Sequence, residues 1–66
     1  MMGSIYNQLF NEAEYAQRSL SRDLLFETYG KAKMALQLGV ITQNEFMEIN
    51  SLTIYFINTH AGALSN

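Results

Sequence analysis

Cysteine, proline and tryptophan are all missing from this chain of 66 residues. Without cysteine there is neither a disulfide framework nor a thiolate metal site, and the composition suits a reducing cytoplasm. Without proline, and with glycine only at positions 3, 30, 39 and 62, the chain has little turn punctuation outside the neighbourhood of Gly39. Basic runs are missing too. Four Lys and Arg stand against six Asp and Glu, a net charge of −2, so a strong electrostatic footprint for DNA or an anionic membrane is lacking. No apolar run approaches the roughly 20 residues of a membrane span, and Met1-Met2-Gly3-Ser4 does not open a secretory leader. The expectation is a soluble, unprocessed, cytoplasmic chain.

What is present is apolar surface: 48% of the residues are hydrophobic and only 15% charged. A chain this short supplies only about 3–5 kcal/mol from a lone core, and with no covalent staple the remaining remedy is oligomerisation. The default fold class is all-α, in one small domain. Its clearest local signal is Leu38 to Phe46. Gly39 can adopt the left-handed conformation that closes a helix, with Val40 packing back on the turn around Ala35. Thr42 and Glu45 form a capping box, and Ile41 can staple onto Phe46. Stop, turn and start within so few residues specify an antiparallel helical hairpin with its turn at 39–42.

Before the turn, Tyr6, Leu9, Ala13, Ala16 and Leu20 follow 3,4 spacing, and a second stripe follows at Leu25, Tyr29, Ala32 and Leu36. The step of five between Leu20 and Leu25 changes the phase. Either one long helix runs from about 4 to 38 with a stutter near Ser21, the reading we favour here, or Ser21 caps a second helix after a short break, with Leu20 and Leu25 as its staple. Asn11 and Glu14, flanked by Phe10 and Tyr15, offer a further start signal that would set residues 1–10 apart. Glu14–Arg18 and Glu27–Lys31 are well-oriented i,i+4 pairs. Gly30, inside the second stripe, marks a close helix crossing or a tolerated residue.

After the turn a helix is expected over about 43–60, with a frayed tail at 61–66. Phe46, Ile49, Thr53 and Phe56 make one face and Met47, Ile54 and Ile57 another, with Leu52 and Tyr55 widening the apolar arc still further. One partner helix cannot cover so wide an apolar arc. The sequence therefore predicts a homodimeric helical bundle whose interface draws on Ile49, Leu52, Ile54, Tyr55, Phe56 and Ile57. The alternative folds residues 4–20 back as a third helix within the monomer.

Chemistry is hard to find. His60 is the only histidine, placed to cap a helix C-terminus. The carboxylates do not fall in Glu-x-x-His units, and there is neither a nucleophile elbow nor a phosphate-binding glycine loop. No cofactor, metal or catalytic residue is expected, and the chain reads as non-enzymatic. Ala35, Leu38, Gly39 and Val40 match the first half of a helix-turn-helix, but Glu45 and Glu48 stand where its second helix needs apolar residues. No Arg or Lys occurs from Gln43 to Asn66. Tyr15 and Phe26, off the stripes, and Arg18 and Arg22, one turn apart, are the candidates for contact with a partner.

Residues 33–46, Lys-Met-Ala-Leu-Gln-Leu-Gly-Val-Ile-Thr-Gln-Asn-Glu-Phe, resemble the SHOCT short helical hairpin, in which a Leu-containing helix is followed by Gly-x-Ile-Thr-x-x-Glu-Phe and a second helix. The likeness covers under half the chain and departs after Phe46, where the usual Lys-rich helix gives way to the apolar segment Ile49 to Ile57. It implies an oligomerisation or interaction module, typically bacterial, and no active site. The functional expectation is a small protein–protein interaction or regulatory module of bacterial, phage or other mobile-element origin, acting as a homodimer on an unknown protein partner. The alternatives are a nucleic-acid-associated accessory factor using Arg18, Arg22, Lys31 and Lys33, or a purely structural assembly subunit. Thr42→Ala should cost about 0.5–2 kcal/mol through the lost cap, and Gly39→Val should cost more through backbone strain. Thermal melts check both, and an unchanged Tm for either would misplace the turn.

Overall fold

A computed structural model describes residues 4–65, and all of their regular structure is helical. Helix α1 spans Ile5–Ser19, α2 Arg22–Gln37, α3 Gln43–Leu52 and α4 Ile54–Thr59, followed by a 3₁₀ turn at Ala61–Ala63. Ser4 caps α1 by accepting from the Asn7 N–H (3.1 Å). The helix continues through Asn11 without a break, so the alternative start there is not used. Residues 1–3 and Asn66, which belong to the expected N-terminal segment and tail, lie outside the described residues.

The favoured continuous helix over 4–38 does not form. Leu20 takes a left-handed conformation, φ 52°, and the chain turns there. The Leu20 N–H donates to the Gln17 carbonyl (3.0 Å) and the Ser21 N–H to that of Ala16 (3.3 Å), the paired bonds of a Schellman motif. Ser21 then caps α2, accepting from the Leu24 N–H (3.2 Å). The sequence carries no glycine to announce this turn, which is why its phase change also fits a stutter. At the other end of α2, Gly39 (φ 76°) makes the same two bonds, its N–H to Leu36 and that of Val40 to Ala35, each 3.0 Å. Val40 remains exposed, so the motif closes α2 through its backbone bonds.

Thr42 and Glu45 form both halves of the capping box. The Glu45 N–H donates to Thr42 Oγ1 (3.1 Å), and the Thr42 N–H to Glu45 Oε1 (2.8 Å). Ile41 is buried, with Phe46 packed on its cluster. The helix expected over 43–60 is interrupted at Thr53, whose φ −112°, ψ −83° are non-helical. Fully buried, Thr53 turns its hydroxyl onto the Ile49 carbonyl (2.8 Å), the back-bonding that bends helices. At the break the Leu52 carbonyl accepts from the Gln17 side-chain amide of α1 (3.1 Å), so the interruption is satisfied from across the fold.

Helix α1 packs against both α2 and α3, and α4 lies against α2. One core cluster joins Leu9, Ala32, Ala35, Ile41 and Ile49. A second joins Ala16, Leu25, Ile57 and Leu64. Ala13, Thr28 and Thr53 are buried as well. The expected frayed tail is therefore docked through Ser65. Leu64 is buried, and the Ser65 N–H (2.8 Å) and Oγ (2.9 Å) both donate to the Leu20 carbonyl, while the Arg22 N–H donates to the Ser65 carbonyl (3.3 Å). Leu64→Ala should cost about 2 kcal/mol or more by opening that cluster. Leu20→Gly should instead stabilise by about 1 kcal/mol, because it relieves a left-handed non-glycine residue. Urea titration of both variants checks the opposite signs.

Candidate functional site

The side chains nominated for an oligomer interface divide between interior and surface. Ile49 and Ile57 are buried by the chain's own helices, Leu52 is half-buried, and Ile54 and Phe56 pack partly against the second cluster. Only Tyr55, 64% exposed, stands out into solvent. The fold-back of α1 and the break at Thr53 give the apolar arc partners within one chain. The burial reason for placing Ile49 and Ile57 between protomers is thereby removed.

The exposed apolar surface lies elsewhere. Tyr15 and Phe26, which the spacing left off the stripes, are both exposed. Phe26, Gly30, Met34 and Leu38 follow at steps of four along α2 and its C-cap, making one ridge on the side away from the core residues Leu25, Thr28, Ala32 and Ala35. All four are exposed, Leu38 to 70%. Met34 and Leu38 were not nominated from sequence, although their step of four from Phe26 through Gly30 was readable. Attention to the buried stripe hid the one opposite.

Charges frame this ridge. Lys31 reaches α1, its Nζ lying 3.1 Å from Glu12 and 3.7 Å from Glu27. These carboxylates hold the ammonium above its ordinary pKa, chiefly through the hydrogen bond from Lys31 to Glu12. Lys33 lies on the exposed side. Among the described residues no ion pair joins Glu14 to Arg18. Arg22 donates from Nη2 to the Ala61 carbonyl (3.4 Å). The four cations are thus dispersed in role: Lys31 ties α1 to α2, and Arg22 holds the C-terminal turn.

Across the fold, the Tyr6 hydroxyl donates to the Glu48 carboxylate. That bond, with partial burial and the negative charge of Glu48 and Glu45, pushes the Tyr6 phenol up from 10.0 to about 12. Glu48, exposed on α3, links that helix to α1 through this bond. The His60 ring stacks on Phe56 at 4.1 Å, and its Nδ1 lies 2.8 Å from Thr59 Oγ1. His60 is the C-cap residue of α4, in the place expected of it.

Among the described residues no group of three His, Asp or Glu is placed to hold a metal ion, and no helix is long and apolar enough to cross a membrane. No family model, curated protein or solved structure matches the chain. What the geometry offers is a helical scaffold with apolar side chains outside a filled core.

A pH-dependent consequence follows from Tyr6. Its folded-state pKa is raised, so the bond to Glu48 contributes fully below pH 10 and is lost as the pH rises from 10 to about 12. Lys31, also raised, acts in the same sense at high pH. Denaturant titrations of wild type and Tyr6→Phe from pH 8 to 12 should show a falling stability for both, with the shallower fall in Tyr6→Phe. Equal slopes would remove the bond from the account.

Proposed function

We propose that this chain is a small non-enzymatic interaction module that acts as a homo-oligomer and works by presenting apolar side chains to another macromolecule. The observation that carries this reading is the coexistence of a filled core with large exposed hydrophobics, of which Phe26, Met34 and Leu38 share one ridge along α2 and its C-cap. Single exposed apolar residues are ordinary, but several on one face mark a contact surface. A chain near the lower size limit for independent stability gains further from covering that surface.

The α2–turn–α3 unit acts in this reading as an antiparallel hairpin, rigid because both sides of its turn are capped. The SHOCT-like register of residues 33–46 supports the same class of function. Lys31, engaged with two carboxylates, and Arg22, bonded to the Ala61 carbonyl, favour a structural use of the cations over phosphate contact.

Sedimentation equilibrium at micromolar concentration should report a dimer or higher species. A well-folded monomer throughout that range would overturn the homo-oligomer. The same runs in about 0.05 M and 0.5 M salt should differ little, since apolar burial is not screened as phosphate contacts are.

A further inference from the structure

The turn at Leu20 and an unbroken helix through it compete for the same main-chain groups. We infer that residues 61–65 are a latch on this reversal. Docked, they hold α1 folded back on α2 and α3; released, they let Leu20 relax into helical conformation, so that α1 and α2 join and α1 leaves α3. The device operates within one chain, whatever its oligomeric state.

In an unbroken helix the Leu20 carbonyl would accept from the Leu24 N–H, and the Arg22 N–H would donate to the Arg18 carbonyl. Ser65 takes both groups. Its N–H (2.8 Å) and Oγ (2.9 Å) donate to the Leu20 carbonyl, its own carbonyl accepts from the Arg22 N–H (3.3 Å), and Ser21 and Ser65 pair as a parallel bridge. The Leu24 N–H is left to Ser21 Oγ. The docked segment and the continuous helix therefore exclude one another atom by atom. Arg22 adds a side-chain bond to the same segment, from Nη2 to the Ala61 carbonyl.

What the latch opposes is strain. Among the described residues Leu20 is the only one other than glycine with a positive φ, a conformation that its Cβ disfavours. Neither glycine nor proline lies between Ile5 and Tyr29, so nothing in the local sequence bars a helix from running through the turn. Leu64 closes the device on its apolar side, because it is buried in one cluster with Ala16, before the turn, and Leu25, after it. Elsewhere α1 buries little. Its fully enclosed residues are Leu9, Ala13 and Ala16, one large side chain and two small ones. Release of Leu64 removes the apolar contact that bridges the turn, and leaves α1 attached through Leu9 and the bonds of Tyr6, Glu12 and Gln17.

The test uses the whole chain. Since it has no cysteine, spin labels can be attached at Gln8→Cys and Gln37→Cys, exposed on α1 and α2, with labelled chains diluted into unlabelled ones so that each distance lies within one chain. The otherwise unaltered protein should give one distance, shorter than the 35 Å long axis of the folded molecule. Leu64→Asp combined with Ser65→Pro removes the buried side chain and both donors to Leu20. Leu64 already has φ −86°, ψ 141°, which a following proline accepts. This variant should raise the ratio of open to closed molecules by about a hundredfold or more. It should show a second distance of about 44 Å, the span of one continuous helix between the labels, with far-UV circular dichroism at least as helical as before. Adding Leu20→Gly, which relieves the turn and weakens the joined helix, should restore the short distance, whereas Leu20→Ala should not. An unchanged distance, a loss of helix, or an opening that Leu20→Gly does not reverse would each overturn the latch.

Discussion

Everything in this fold depends on the chain reversing at Leu20. The reversal places a branched side chain in the left-handed region, at a cost of about 1–2 kcal/mol. The structure offsets that cost locally. The Leu20 carbonyl accepts twice from Ser65, Ser21 caps the following helix, and the Arg22 N–H reaches the Ser65 carbonyl. The last residues therefore act as a clasp on the first turn, and Leu64 is drawn into the cluster with Ala16, Leu25 and Ile57. Because α1 returns along α2, a third helix becomes available to cover α3.

That covering resolves the excess of apolar surface on residues 43–59. A straight helix would carry its apolar arc most of the way round. The interruption at Thr53 divides it, so that Ile49 joins the cluster with Leu9 and Ile41 while Ile57 joins the one with Leu64. The break leaves a main-chain carbonyl for Gln17 to satisfy, and the threonine hydroxyl bonds within its own helix. Among the described residues no buried side-chain nitrogen or oxygen is left without a hydrogen-bond partner. One chain achieves what a helical hairpin could achieve only by pairing with a second copy.

With the core filled, the surface takes on a different meaning. Among the hydrophobics left outside, Phe26 and Met34 line the outer face of α2, whose inner face is occupied by Leu25, Thr28, Ala32 and Ala35. Its outer ridge needs no partner for folding, and is free to recognise one. The ion pairs of Lys31 and the Tyr6–Glu48 bond tie α1 to α2 and α3. They hold the scaffold behind that ridge in place.

Residues that act on their immediate neighbours were legible in the sequence. Gly39, Ile41, Thr42, Glu45 and Phe46 announce a stop, a turn and a start because capping is decided over one helical turn. The helical class and the exposure of Tyr15 and Phe26 could be read in the same way, from spacing alone. The turn at Leu20 could be read only as the less favoured of two alternatives, through Ser21 as a cap, since its left-handed residue is not a glycine and its support comes from Ser65, far along the chain. The interruption at Thr53 was hidden for a related reason: threonine continues a helix acceptably unless burial and a donor such as Gln17 favour the break. Local chemistry decided where helices cap. Only tertiary packing decided where they break, which apolar residues lie inside, and that the exposed ridge belongs to α2, because those outcomes depend on contacts between segments distant in sequence.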